Sequence, residues 1–158
     1  MNVDSIDIFL EGLRGKQIHF KPNPGNAGDG LIALAAFQLF KKYNINYSLV
    51  KEGQDLKGKI VIYGGGGNLV SYYRHCSSFV KAYHQEAEEL IIFPQSVNGH
   101  KDLLSQLGKN CTIMCREKAS LEYVSSYGNI GKVLLIPDLV FNLEITPELL
   151  NFKRVNKL

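Results

Sequence analysis

The sequence predicts an α/β fold, a doubly wound and mostly parallel sheet with helices on both faces. Short runs that are apolar almost throughout recur along the chain, as in Lys59-Ile60-Val61-Ile62-Tyr63, Leu90-Ile91-Ile92-Phe93 and Val133-Leu134-Leu135-Ile136. Strands buried on both faces are written this way. Between them lie segments with apolar residues at helical spacing, so strand and helix alternate as crossover connections require. The unusual residues also follow strands, and in an open parallel sheet all strand ends share the carboxyl edge, where ligands bind.

The bulk properties narrow the function classes. A chain of 158 residues is one domain's length and can bury about 70% of its unfolded surface around one core. Its 45% hydrophobic and 21% charged residues are ordinary for a globular protein, and no run is long enough to span a bilayer. The first residues lack a basic segment leading into an apolar one, so a cytoplasmic location is expected, the inner face of the membrane included. The net charge of +3 comes from dispersed lysines without interleaved aromatics, which argues against nucleic acid. Three cysteines give no disulfide framework, and Cys111-x-x-x-Cys115 without a paired His motif is a poor zinc site, so no metal is expected.

Taken in order, residues 1–15 read as an N-terminal helix or arm, with Ile6, Phe9, Leu10 and Leu13 at helical spacing and Gly12 and Gly15 closing it. The body is expected over 16–145. It opens with strand Lys16–Phe20 and a loop, Pro22–Gly30, leading into a helix from about Asp29 to Tyr43. That helix is apolar on nearly all sides and must be covered on more than one face. Lys41 and Lys42 suit the negative end of its dipole, and Asn44 suits its termination. Strand Tyr47–Val50, a turn at Gly53–Asp55 and strand Lys59–Tyr63 follow. After the glycines, Tyr72, Cys76, Phe79, Val80, Tyr83 and Ala87 predict a long helix. Strand Leu90–Phe93, a helix near 101–107, strand Cys111–Cys115, a helix near 117–126 and strand Val133–Ile136 complete the body, leaving 146–158 as a tail.

The candidate site begins with Gly64-Gly65-Gly66-Gly67-Asn68, directly after a buried strand. Consecutive glycines maximise the entropy lost on folding, so backbone approach to a ligand is a better reason for them than a simple turn. On that reading Gly65→Val damages binding more than folding. The loop Gly25-Asn26-Ala27-Gly28-Asp29-Gly30 feeds a helix N-terminus suited to an anion, while Asp29 either caps the helix or binds a substrate hydroxyl. No P-loop occurs, and the dinucleotide fingerprint fails at Val70 and has only Ala33 in the other glycine run. Arg116 could clamp an anion bidentately or form a surface ion pair with Glu117 or Glu122. Pro94-Gln95-Ser96 and Pro137-Asp138 end the neighbouring strands. Of the histidines, His75 is the better acid or base candidate, although a helix-surface role is the simpler account, and His19 reads as a core group.

With these residues in view, the chain resembles the polysaccharide pyruvyl transferase family. The matching pieces are Gly25–Ile32, Gly64–Leu69, Phe93-Pro94-Gln95-Ser96, Arg116-Glu117-x-x-Ser120 and Pro137–Phe141, in that order. The resemblance implies the first, Rossmann-like lobe of a two-lobed glycosyltransferase-B-type architecture, with the second lobe absent from these residues. It implies transfer of the enolpyruvyl unit of phosphoenolpyruvate, a co-substrate with no further cofactor, to two hydroxyls of a sugar or lipid-linked glycan in cell-surface polysaccharide biosynthesis. Asp29 would then bind or deprotonate a sugar hydroxyl and Arg116 would meet an anion. Asn26, Gly28, Gly64, Gly65, Gly66, Gly67, Asn68, Gln95, Ser96 and Asp138 would contact substrate. A glycosyltransferase-like sugar-binding lobe and a non-catalytic degraded domain are the competing expectations, and a homo-oligomer is compatible with each.

Overall fold

A computed structural model describes residues 4–150, so the predicted tail lies outside the described residues beyond 150. Seven strands form one sheet: β1 (Gln17–Lys21), β2 (Asn46–Leu49), β3 (Ile60–Tyr63), β4 (Gly66–Val70), β5 (Glu89–Asn98), β6 (Cys111–Cys115) and β7 (Lys132–Leu135). Their order is β2-β1-β3-β5-β6-β7, with β4 also on β5, and every pairing is parallel. The period-two alternation of strand side chains sorts the core into two layers. Ile18, Phe20, Ile62, Ile91, Phe93 and Met114 pack on one face with α1 (Ile6–Glu11) and α2 (Ala27–Lys42). Val61, Tyr63, Leu90, Ile92, Ile113 and Cys115 pack on the other with α3 (His75–Tyr83), α4 (Lys101–Gln106) and α5 (Lys118–Ser125). A 3-10 turn, Leu139–Asn142, and a short helix α6, Pro147–Leu150, follow β7.

The glycine stretch corrects the sequence reading. It does not turn the chain out of the sheet into a helix. β3 and β4 are two halves of one strand lying along β5, with Tyr63 opposite Ile92 and Gly66 opposite Gln95, and the register slips by one residue before Leu69 reaches Val97. The glycines are thus the kink and bulge of a continuing strand, positions at which a missing side chain permits local bending. The long helix expected over Tyr72–Ala87 accordingly shrinks to α3, and Tyr72 is exposed rather than core. β5 likewise runs on past Phe93 through Pro94, Gln95 and Ser96. Its register with β6 shifts between Ile92 and Gln95, and Pro94, which lacks an N–H, is tolerated at that irregularity.

α2 begins two residues earlier than expected, at Ala27, with Asn26 as its cap. It is covered on several sides, as its apolar surface demands. The sheet takes one side, Asp7 of α1 pairs with Lys42 at 3.0 Å and accepts from the Tyr43 hydroxyl, and Gln38 exchanges two 2.9 Å hydrogen bonds with the backbone of Glu144. Asn44 ends the helix in the left-handed region, φ 52°. Asp4 pairs with both backbone groups of Leu135 at 2.9 Å, closing the β7 edge. Among the described residues no helix is long and apolar enough to cross a membrane.

This order positions the site. From β1 the chain moves to β2 on one side, and from β3 it moves through β5, β6 and β7 on the other. The direction reverses between β1 and β3, and the crevice beyond their carboxyl ends is where such sheets bind ligands.

Candidate functional site

The carboxyl edge is organised around Asn23, a residue that the motifs did not single out. It lies between Pro22 and Pro24, after β1, and is only 6% exposed. Its amide nitrogen donates to Asp29 Oδ1 at 2.9 Å, and its amide oxygen accepts from the Tyr63 hydroxyl at 2.8 Å and from Asn68 Nδ2 at 2.7 Å. Prolines on both sides, fixing the backbone of a single amide, were the available signal. Burial pushes the Tyr63 phenol well above its ordinary range, so it remains a hydrogen-bond donor.

Asp29 is the third residue of α2 and completes a reciprocal cap. Its Oδ2 accepts from the Asn26 backbone at 3.0 Å, while Asn26 Oδ1 accepts from Gly28 N at 2.8 Å. Both readings of Asp29 survive, because a carboxylate with two protein donors still has lone pairs for a ligand hydroxyl. An anion at this helix end is disfavoured, since Asp29 already supplies the negative charge there.

The glycines pack more tightly than a ligand-facing loop would. A Cβ at Gly64 would lie 2.8 Å from Asn23 N, one at Gly65 2.9 Å from the Pro94 carbonyl oxygen, and one at Gly66 2.9 Å from Asp29 Oδ1. Gly66 alone of the four has a left-handed-side φ, 139°. Gly64, Gly65 and Gly66 are buried, and Gly67 and Asn68 are half-exposed. Gln95 is fully buried, donating to Gly64 O at 2.7 Å and accepting from Asn68 N at 3.0 Å. Its amide therefore satisfies backbone groups that the kink has removed from the ladder.

A second cluster adjoins the first at the end of β6. Arg116 Nε donates to Ser96 Oγ at 2.8 Å and Nη1 to Asp138 Oδ2 at 3.0 Å, with Glu117 Oε2 at 3.4 Å from Nε. Ser96 Oγ donates to Glu117 Oε2 at 3.1 Å, and Glu117 Oε1 accepts from the Ser120 hydroxyl. The ion pair with Glu117 is thus present, but Asp138 is the nearer partner. Among the described residues Nη2 has no acceptor, and it lies 3.3 Å from the Cβ position of Gly67. Nε and one N–H of Nη1 are committed, so a side-on clamp through Nε and Nη2 would require displacing Ser96.

Two shallow depressions flank this guanidinium. One, of about 330 Å³, is lined by Val70, Ser96, Asn98, Glu117, Ser120 and Tyr123, and the other, of about 390 Å³, by Arg116, Glu117, Pro137, Asp138, Val140 and Phe141. Asn26 and Gly28 are exposed beside Asp29, whereas Gln95 supports the edge from within. His75 is exposed on the first turn of α3, and His19 Nδ1 lies within hydrogen-bonding distance of Ser48 Oγ, at 3.2 Å, and Gln54 Nε2, at 3.3 Å. Neither joins the two clusters.

The profile of the family described as polysaccharide pyruvyl transferase matches residues 26–156. The chain belongs to the polysaccharide pyruvyl transferase family. Pyruvyl transferase 1 of Schizosaccharomyces pombe is 27% identical over 174 residues, an alignment covering 89% of this chain and 41% of that protein. The crystal structure of a functionally uncharacterised protein from Klebsiella pneumoniae has the same fold, with a TM-score of 0.80 and 28% identity over 93% of this chain and 58% of that one. This chain therefore spans less than half the length of the S. pombe pyruvyl transferase and little more than half of the K. pneumoniae protein. The family match begins at Asn26, the cap of α2, and takes in the glycine kink, Gln95, Arg116 and Asp138.

Proposed function

We propose that this chain forms one wall of a pyruvyl transfer site, in which phosphoenolpyruvate and two hydroxyls of a glycan give a cyclic pyruvate ketal and phosphate. Family membership supports the reaction class, and the observation that carries the assignment of the site is that the Asp29 cluster, at the β1/β3 switch point, continues through Asn68 and Gly67 to the Arg116 cluster at the end of β6. In the reaction the two hydroxyl oxygens bond to the central carbon of phosphoenolpyruvate, the methylene gains a proton to become methyl, and phosphate leaves. The net proton count balances, one hydroxyl proton going to carbon and the other to phosphate. Such chemistry needs a base for the hydroxyls, an acid for the methylene and cations for the departing phosphate.

Asp29, anchored by Asn23 and Asn26, is the base or hydroxyl acceptor in this reading. Arg116 donates through Nη2, and half-exposed Asn68, whose Nδ2 is held by Asn23 and Pro24, offers its amide oxygen on the Asp29 side. This reading assigns the phosphate-gripping cations to the length of the relatives that this chain does not span, so these residues alone bind without turning over. Separated reacting groups forgo the positioning worth up to about 7–11 kcal/mol in well-oriented reactions. The acceptor is a sugar or lipid-linked glycan handled on the cytoplasmic side of surface polysaccharide assembly. The test supplies phosphoenolpyruvate and a glycan panel to the chain alone and to the chain fused to the remaining lobe of a family relative. Phosphate and ketal should appear in equal amounts from the fusion only, and Asp29→Asn should slow both by at least about tenfold. Transfer from a nucleotide sugar instead would replace this reading with a glycosyltransferase.

A further inference from the structure

The depression beside Phe141, at the Pro137–Phe141 stretch that follows β7, combines an apolar wall with a charged one. Pro137, Val140 and Phe141 line one side of it, and Arg116, Glu117 and Asp138 line the other. Phe141 is 81% exposed, so its ring stands out from the polar edge. Its backbone is held, with Phe141 N donating to Asp138 O at 3.1 Å and the turn capped by Asp138 Oδ1 on Val140 N at 3.1 Å. The ring is therefore presented by a fixed turn directly beside the charged side chains.

We infer that this depression takes a neutral sugar ring of the acceptor, with Phe141 as its stacking surface. The inference deepens the pyruvyl transfer reading, on which it rests for the sugar's role as acceptor. A pyranose offers an apolar C–H face and a rim of hydroxyls that both donate and accept. Phe141 and Val140 match the face. Asp138 and Glu117 accept from hydroxyls with their remaining lone pairs, and Arg116 donates with the N–H groups that Ser96 and Asp138 leave open. Charge excludes the other substrate, because one guanidinium here faces two carboxylates, at 3.0 and 3.4 Å, and an added phosphate or carboxylate would meet net negative charge. The volume of about 390 Å³ lies within the range of small-ligand sites.

The experiment titrates isotope-labelled chain separately with methyl β-galactoside, methyl α-glucoside, methyl α-mannoside, inorganic phosphate and phosphoenolpyruvate, following backbone amide resonances. At least one glycoside should shift residues 116–117 and 138–141. Phe141→Ala should weaken that glycoside by about fivefold, as expected for loss of one aromatic contact. Phe141→Tyr should retain it, and Tyr72→Ala, at a still more exposed ring (91% exposed), should leave it unchanged. The inference is overturned if no glycoside shifts these residues, if the anions shift them and the glycosides do not, or if Phe141→Ala binds like the parent chain. Glycoside binding without ketal formation by the fused enzyme would keep the subsite and remove the transfer reading. Ketal formation with unaltered Phe141→Ala affinity would do the reverse.

Discussion

Replacing Asn23 by Ala removes the centre of the hydrogen-bond network at the carboxyl edge, and its cost can be worked from the partners left behind. The Tyr63 side chain is 1% exposed, and its hydroxyl would lose its acceptor without gaining water. An orphaned buried donor costs about 1–3 kcal/mol. Asp29 and Asn68 are half-exposed and can turn to solvent, so each loses only the net worth of one hydrogen bond, about 0.5–1.5 kcal/mol. The expected loss is about 2–6 kcal/mol in urea unfolding, with the slope unchanged. A cycle with Tyr63→Phe separates the terms. Tyr63→Phe alone leaves Asn23 bonded to Asn68, and the double variant should be less destabilised than the sum of the singles by about 1–2 kcal/mol. An Asn23→Ala cost below about 0.5 kcal/mol, or strictly additive variants, would refute the claim that Asn23 holds the edge together.

Four further outcomes follow from the geometry. Gly65→Val should now fail chiefly in folding, reversing the expectation from sequence, because its Cβ would meet the Pro94 carbonyl at 2.9 Å; a loss of at least about 1–3 kcal/mol is expected, and a normal melting temperature would contradict it. Arg116→Lys should fold but bind glycosides more weakly, since one ammonium cannot reproduce the guanidinium's geometry to Ser96 and Asp138; unchanged titrations would contradict this. Burial lowers the pKa of His84, and burial followed by the charge of Lys59 lowers that of His19, each from an ordinary 6.5. The unfolded chain then binds more protons just below that pH, so stability contributed by both is full above 6.5 and declines as pH falls toward the lowered folded values; urea midpoints at about pH 7.5 and about pH 5.5 measure the slope. Burial raises all three thiols, Cys115 to about 12, with Glu117 adding to the effect there, so the native chain should resist thiol reagents until denatured.

The layered fold was legible because burial on both faces leaves a strong trace in strands such as Ile60–Tyr63 and Cys111–Cys115. The candidate site was read as a set of strand endings, and the loop after β1 does meet the glycine stretch, through Asn23 and Asn68. What misled was local pattern without register. Tyr72 and Cys76 fall at helical spacing, yet β4 occupies the chain up to Val70 because pairing with β5 continues past the glycines. Pro94 similarly suggested a strand end, since sequence alone does not reveal a bulge that excuses its missing N–H. Asn23 carried no motif, and its importance arises only when three other segments converge on one amide.

The same convergence explains why four glycines stand where they do. A strand that bends at a sheet's switch point withdraws backbone groups from the ladder, and each must find another partner. Gln95 supplies those partners from inside, and it can reach them only because Gly64 and Gly65 let the backbone lie against Asn23 and Pro94. The bend carries Gly67 to Arg116 and Asn68 to Asn23, joining clusters that originate after different strands. Backbone approach was the right physical reason for the glycines, but what approaches is the protein itself. In the proposed site, ligand contact falls to the side chains that this packing sets in place, Asp29 and Asn68 on one side and Arg116 on the other.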